Sequence, residues 1–208
     1  MKYPHAYSGV KKLFISEILN IISAGLMFVA VLMVLLDGKI KLPDIDTAQF
    51  WGLATLVLLS SAVGIAAFVI QFIGLNQARK DEWYFNKALY FVVICAVCTV
   101  GMTLTAGTVN SIFAAIDEVF TLLINIYAIL AIFTLAEYLK DVHIQRTGKV
   151  MIVVITVLFG IALIIQIAAG FVPRRAELLG AVKAGFEFVG YIVCMVYFGM
   201  AKKMLGKS

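Results

Sequence analysis

The sequence predicts an all-α integral membrane protein, built as a bundle of six transmembrane helices in a single domain over residues 1–208. Hydrophobic residues make up 63% of the 208 residues, whereas they approach only about half of a typical soluble domain. Six apolar runs, each about 19 residues or longer, fill almost the whole chain. At 1.5 Å rise per residue, such a run crosses a hydrocarbon layer of ~30 Å as a helix.

The helix boundaries follow from hydropathy and from residues that interrupt helices. The predicted helices cover approximately residues 13–36, 50–75, 88–106, 109–139, 150–172 and 178–200. The helix-breaking signals between them are Asp37-Gly38 and Pro43, Gly107, and Pro173. The segments between the runs are short, so we expect no domain outside the membrane.

The basic residues predict the orientation, because short loops retain Lys and Arg on the cytoplasmic side. Twelve of the seventeen fall on one side of the predicted bundle: Lys2, Lys11, Lys12, Arg79, Lys80, Lys87, Lys140, Arg146, Lys149, Lys202, Lys203 and Lys207. The other side carries four: Lys39, Lys41, Arg174 and Arg175. Both termini are therefore predicted to be cytoplasmic. The net charge of +5 then reflects topology and attraction to anionic lipid heads, and we expect no nucleic-acid partner.

The source membrane is predicted from weaker, compositional signals. The loops are short, Lys outnumbers Arg, and the sequence contains no Asn-x-Ser/Thr glycosylation site. These features are typical of the cytoplasmic membrane of a prokaryote.

Two charged residues in the sixth predicted helix are the deepest in their run. An ionised group at the centre of a membrane helix costs roughly 2.5 to 3.5 kcal/mol, so it needs an internal partner or a wet cavity. Glu187 lies near the middle of the helix, and Lys183 lies one turn earlier on the same face. Tyr191 continues this stripe. Two interpretations follow: a self-contained Lys183 to Glu187 ion pair that locks helix packing, or a Glu187 carboxylate that binds a cation or a proton.

The fourth predicted helix carries a polar row, with Asp117, Thr121 and Asn125 at i, i+4 and i+8. Glu118 is rotated by about 100° from this row and is expected to point elsewhere. If the helix begins near Val109, Asp117 lies ~12 Å deep. If residues 109–116 instead lie flat at the outer surface, the two acidic residues sit at a helix N-terminus, where the helix dipole favours them.

The first predicted helix contributes Glu17 and Asn20. Glu17 lies only about a turn inside the predicted cytoplasmic edge. A salt bridge to a basic side chain of the inner loops is therefore expected there.

The pair Cys95 and Cys98 is the only motif with redox connotations, and it resembles the membrane-embedded cysteine pair of vitamin K epoxide reductases. Those enzymes relay electrons through a second pair of loop cysteines. The third cysteine of this chain, Cys194, lies within a predicted helix. The sequence has no glycine-rich phosphate loop, no H-E-x-x-H and no Gly-x-Ser-x-Gly motif. We expect no enzymatic activity, no cofactor and no metal site.

Intramembrane polar residues favour a pathway for a solute or ion. The inward faces are predicted to carry Glu17, Asn20, Asp117, Thr121, Asn125, Lys183, Glu187 and Tyr191. The leading hypothesis is a small transporter or channel, or a membrane subunit of a transporter, with a small solute or ion as ligand. In size and helix number the chain is similar to the six-helix substrate-binding subunits of energy-coupling-factor transporters, although no motif carries this likeness.

Two other classes of function compete with transport. The second hypothesis is a membrane scaffold whose polar contacts are structural and which binds a partner membrane protein or a second copy of itself. The third is an intramembrane thiol oxidoreductase that uses Cys95 and Cys98.

The predicted orientation is testable by labelling single cysteines in a background without native cysteines. Cysteines at Lys41 and Arg175 are expected to react with a membrane-impermeant maleimide on intact cells. Cysteines at Lys80, Arg146 and Lys203 are expected to react only after the membrane is opened. The reverse pattern would contradict the orientation.

Overall fold

The computed structural model describes residues 2–37, 47–171 and 176–207, and these residues form six α-helices without a strand. The helices are α1 Pro4–Asp37, α2 Thr47–Ala78, α3 Trp83–Leu104, α4 Thr108–Tyr138, α5 Val142–Phe171 and α6 Ala176–Lys207. All six are long and apolar enough to cross a membrane. The prediction of six long apolar helices is confirmed. Several predicted features lie outside the described residues: Gly38, Lys39, Lys41, Pro43, Val172, Pro173, Arg174 and Arg175.

Five helices, α1, α2, α3, α5 and α6, extend beyond the predicted apolar runs, because polar turns at their ends are also helical. Pro4 begins α1, at the position where the missing N–H and fixed φ of proline suit a helix start. Glu82 caps α3 by accepting a hydrogen bond from Tyr84 N. Asp141 does the same for α5, with Oδ1 3.0 Å from Ile144 N. At the other end of the chain, α6 continues to Lys207.

The described N-terminal and C-terminal residues and two short turns lie at one end of the bundle. The backbone N–H of Ala6 donates to Asp81 in the turn between α2 and α3 (2.7 Å), and Gly206 lies next to the ring of Tyr7. The turn between α4 and α5 lies at the same end because the helices alternate in direction. This end, called the basic end below, carries the twelve Lys and Arg residues of the predicted inner side.

At the opposite end, α3 and α4 form a tight hairpin, and α4 is one continuous helix from Thr108. Gly107 makes the turn with φ +63°, a conformation that glycine adopts without steric cost. Gly101 has no side chain, and the ring of Phe113 packs directly against it, since a Cβ there would lie 2.8 Å from the ring. Asn110 Nδ2 donates to Met102 O (2.7 Å). Residues 109–116 therefore pack along α3, and the alternative of a separate flat segment is wrong.

The six helices form a closed ring in sequence order. Each helix packs against its two neighbours in the chain, and α6 returns to pack against α1. The contact between α2 and α3 is the smallest of these neighbouring contacts, and α4 and α6 touch only slightly across the ring. The interior is therefore bounded by all six helices, with its weakest seam between α2 and α3.

The α1–α2 side of the ring is the most tightly closed, because small residues recur every seven positions on both helices. Gly9 faces Gly74 so closely that a Cβ at Gly9 would lie 2.5 Å from Gly74 O. Fourteen residues away along each helix, Ser23 and Ser60 each donate to the other's carbonyl oxygen at 2.9 Å. Small and hydroxyl residues permit such close approach between membrane helices.

The hydrophobic core fills the half of the ring next to the basic end. Its largest fully buried side chains include Leu13, Leu75, Phe85, Tyr197 and Phe198. Towards the opposite end, apolar side chains face outward, as with Leu58 and Leu104. The interior is thus packed near the basic end, and any internal space must lie further along the ring.

Candidate functional site

A polar cavity of about 180 Å³ lies inside the ring, between side chains of α1, α2, α3, α4 and α6. Six of the eight predicted site residues line it: Glu17, Asn20, Asp117, Thr121, Asn125 and Tyr191. The remainder of the wall is formed by Gly64, Phe68, Gln71, Cys95, Thr99 and Ile124. Of these residues, the sequence had singled out only Cys95 as part of a candidate site, in the cysteine pair. Lys183 and Glu187 do not line this cavity.

The wall from α4 is the predicted polar row. Asn125 is 3% exposed; its Nδ2 donates to Thr121 O (3.2 Å), and its Oδ1 accepts a weak hydrogen bond from Cys194 Sγ (3.7 Å). Cys95 Sγ donates to the backbone carbonyl of Asp117 at 3.7 Å. These bonds join α4 to α3 and to α6.

Asp117 carries an orphaned polar atom. Its Oδ1 is buried and has no hydrogen-bond partner among the described residues. Leaving a buried acceptor unpaired costs roughly 1–3 kcal/mol, and more when the group is charged. A ligand with a positive charge or an N–H donor would recover this energy.

The α1 wall carries Glu17, which is 1% exposed. Asn20 Nδ2 donates to Glu17 Oε2 at a long 3.5 Å, and no other side-chain hydrogen bond to Glu17 is seen among the described residues. The expected salt bridge to a basic inner-loop residue does not occur among the described residues. The nearest Lys along α1, Lys12, is about 7.5 Å away along the helix axis and bonds instead to Gln77 Oε1 (2.6 Å).

The predicted pairing of Lys183 with Glu187 occurs, but it is part of a three-residue cluster. Lys183 Nζ lies 3.0 Å from Glu187 Oε1 and 2.9 Å from Glu118 Oε2. Glu118, which was predicted to point away from the polar row, does not line the cavity; it is buried and turned toward α6, where it pairs with Lys183. The signal that could have identified it is its spacing of seven residues from Asn125, which places both on one face of α4.

The two groups of residues lie next to each other. Asp117 lines the cavity, and the adjacent Glu118 joins the cluster. Tyr191, one turn beyond Glu187 on α6, lines the cavity as well. The interior therefore presents four carboxyl groups, those of Glu17, Asp117, Glu118 and Glu187, against the single ammonium of Lys183 within the described part of the chain.

The lining suits a cation. No Lys, Arg or His side chain from the described ranges lines the cavity, whereas two carboxyl groups do. Phe68 and Tyr191 add aromatic rings, whose faces attract cations. Among described residues there is no group of three or more His, Cys, Asp or Glu side chains that could hold a metal ion.

The cysteines are free thiols buried in the helix packing. Cys95 contacts Asp117 and Thr121, as described for the polar row. The oxidoreductase hypothesis calls for a second cysteine pair, and the described residues do not provide one.

Comparison of the chain with models of protein families, with curated proteins and with solved structures found no match.

The ion cluster generates a stability prediction. Lys183→Met leaves Glu118 and Glu187 without a cation, and we expect it to lower the free energy of unfolding by about 3–5 kcal/mol. Glu187→Gln should cost less, because the Lys183–Glu118 pair survives. The triple change Lys183→Met, Glu118→Gln and Glu187→Gln should recover most of the loss. Equilibrium unfolding in mixed micelles measures each variant.

Lys11→Met, at an exposed position of α1, is the matched control and should stay close to the wild-type stability. A Lys183→Met protein as stable as this control would show that the cluster does not hold α4 to α6.

Proposed function

We propose that the protein is a transporter for a small cation, which binds in the cavity between Glu17 and Asp117 and crosses a membrane along the axis of the ring. The single observation that carries this proposal is a polar cavity with two carboxyl groups and no basic side chain among its described lining residues, inside a ring of six apolar helices. Ionisable groups at such a depth are costly and mark solute pathways.

The depth of the acidic groups supports a position near the middle of a bilayer. Asp117 lies nine residues after the first residue of α4, about 13 Å along the helix. A hydrocarbon layer is ~30 Å thick. The excess of basic residues at the basic end supports a cytoplasmic location for that end and for both termini.

The cavity volume limits the size of the solute. A cavity of about 150 Å³ holds one benzene molecule, so about 180 Å³ suits an inorganic cation with some of its water, or a small organic ammonium. The aromatic rings of Phe68 and Tyr191 favour the organic ammonium, because ring faces recognise alkylated ammonium groups.

The packed core supports an alternating mechanism in which only one side is open at a time. Phe85, Tyr197 and Phe198 are fully buried between the cavity and the basic end. We infer that these packed side chains separate a cation in the cavity from the basic end. Transport then requires the helices to part at the basic end.

The same core favours a second candidate function, in which the protein binds a cation without moving it. A ring that stays closed at the basic end would act as a membrane receptor or scaffold. Binding measured together with flux separates the two functions, because a receptor binds the cation with no flux above that of empty liposomes.

The test uses purified protein in liposomes with an interior-negative potential and radiolabelled tetramethylammonium as probe. We expect saturable uptake that Asp117→Asn and Glu17→Gln each reduce by about tenfold or more, because each change removes a buried charge that faces the cation. Uptake should fall as the pH is lowered, because protons compete with the cation for the carboxylates, and this dependence should weaken in Asp117→Asn.

Glu137→Gln is the matched control, because Glu137 is an exposed carboxylate at the basic end of the same helix. It should transport at the wild-type rate. Wild-type uptake and pH dependence in a folded Glu17→Gln, Asp117→Asn double variant would refute the proposal.

A further inference from the structure

A second cavity opens at the weakest seam of the ring. It is an apolar cleft of about 420 Å³ between α2 and α3, lined by Ser61, Gly64, Ile65, Phe68, Ala96 and Thr99. The contact between these helices is the smallest between chain neighbours in the ring. The cleft is therefore a gap in the wall that surrounds the polar cavity.

The cleft and the polar cavity are adjacent and share part of their walls. Gly64, Phe68 and Thr99 line both spaces. A Cβ at Gly64 would lie 3.3 Å from Ser23 Oγ on α1, so this glycine permits close packing of α1 against α2 beside the two spaces. A molecule that occupies the cleft thus lies within reach of the carboxyl groups inside the ring.

The walls of the cleft are apolar although two of its residues carry hydroxyl groups. Ser61 donates to Val57 O (2.8 Å), and Thr99 donates to Cys95 O (3.0 Å), so both hydroxyls are satisfied within their own helices. On the outer side, Ile65 is 66% exposed. An apolar chain fits these surroundings better than a hydrated solute.

We propose that the ligand is an amphipathic cation that is drawn from the bilayer, with its ammonium head between Glu17 and Asp117 and its alkyl chain in the cleft between α2 and α3. This inference rests on the proposed function and narrows its substrate class. The pairing of an acidic cavity with an adjacent apolar cleft matches a molecule with a positive head and one chain. A neutral lipid chain would leave the carboxyl groups unpaired, and a helix from a second copy could not reach them.

The experiment measures competition against radiolabelled tetramethylammonium by alkyltrimethylammonium ions whose chain grows from ethyl to octyl. Each methylene moved from water into an apolar space strengthens binding by about fourfold at most. We expect the wild-type protein to prefer octyl over ethyl by at least about tenfold. Partition of the longer chains into the liposome lipid raises apparent affinity as well, so variants must isolate the part due to the cleft.

Ala96→Leu fills the cleft without touching the polar cavity, because Ala96 lines only the cleft. It should retain tetramethylammonium binding and lose most of the preference for octyl. Ala66→Leu is the matched control: Ala66 is exposed on α2 and lines neither space. It should keep the full preference for octyl, because the cleft is unchanged. Lipid partition is the same in the experiments on all three proteins, so a difference between them reports on the cleft.

The outcomes separate this inference from the function on which it rests. If no protein binds tetramethylammonium or its alkyl homologues, the proposed cation site itself is wrong. If tetramethylammonium binds and the three proteins show the same dependence on chain length, the chain lies in lipid and the inference is overturned while the cation site stands. Competition by octanol equal to that by octyltrimethylammonium would overturn it too, since it would assign the cleft to neutral chains.

Discussion

The structure depends on one electrostatic constraint: a ring of apolar helices encloses more acidic than basic groups. Glu17, Asp117, Glu118 and Glu187 lie in the interior, and Lys183 is the single basic side chain that faces them among the described residues. In water such an imbalance would be of little consequence, but in a low-dielectric interior each unpaired charge costs several kcal/mol. Lys183 pairs with the carboxylates of Glu118 and Glu187 at 2.9 and 3.0 Å. The carboxyl groups of Glu17 and Asp117 have no basic partner among the described residues, so each must bind a proton or, as we propose, a cation.

The helix packing is arranged around this imbalance. Small residues close the α1–α2 side, and large aromatic side chains fill the half of the ring near the basic end. The free space is left beside Glu17 and Asp117, the two carboxyl groups outside the ion cluster. A fold selected only for stability would place an ion pair or apolar side chains in this space. The combination of dense packing on one side and an acidic cavity on the other is typical of a binding site.

Much of this architecture could be predicted from the sequence, because hydropathy and charge asymmetry are strong signals over runs of about twenty residues. Helix number, the polar row of α4 and the spacing of Lys183 and Glu187 depend only on helical periodicity. Helix starts such as Pro4 were not predicted, since hydropathy does not register a polar turn that continues a helix into water. The pairing of Glu118 with Lys183 was not predicted, because periodicity gives relative angles along one helix and Lys183 lies on another.

The cleft between α2 and α3 and its position beside the cavity could not be predicted from one sequence either, because they depend on how far two helices stand apart. The central claim, that the unpaired carboxyl groups receive a cation, is tested most directly by infrared difference spectroscopy on the reconstituted protein. Saturating tetramethylammonium should change the carboxyl absorption bands of the wild type and of Glu137→Gln, and the change should vanish in the Glu17→Gln, Asp117→Asn double variant. An absent carboxyl signal in the wild type, or the same signal in the double variant, would contradict the account.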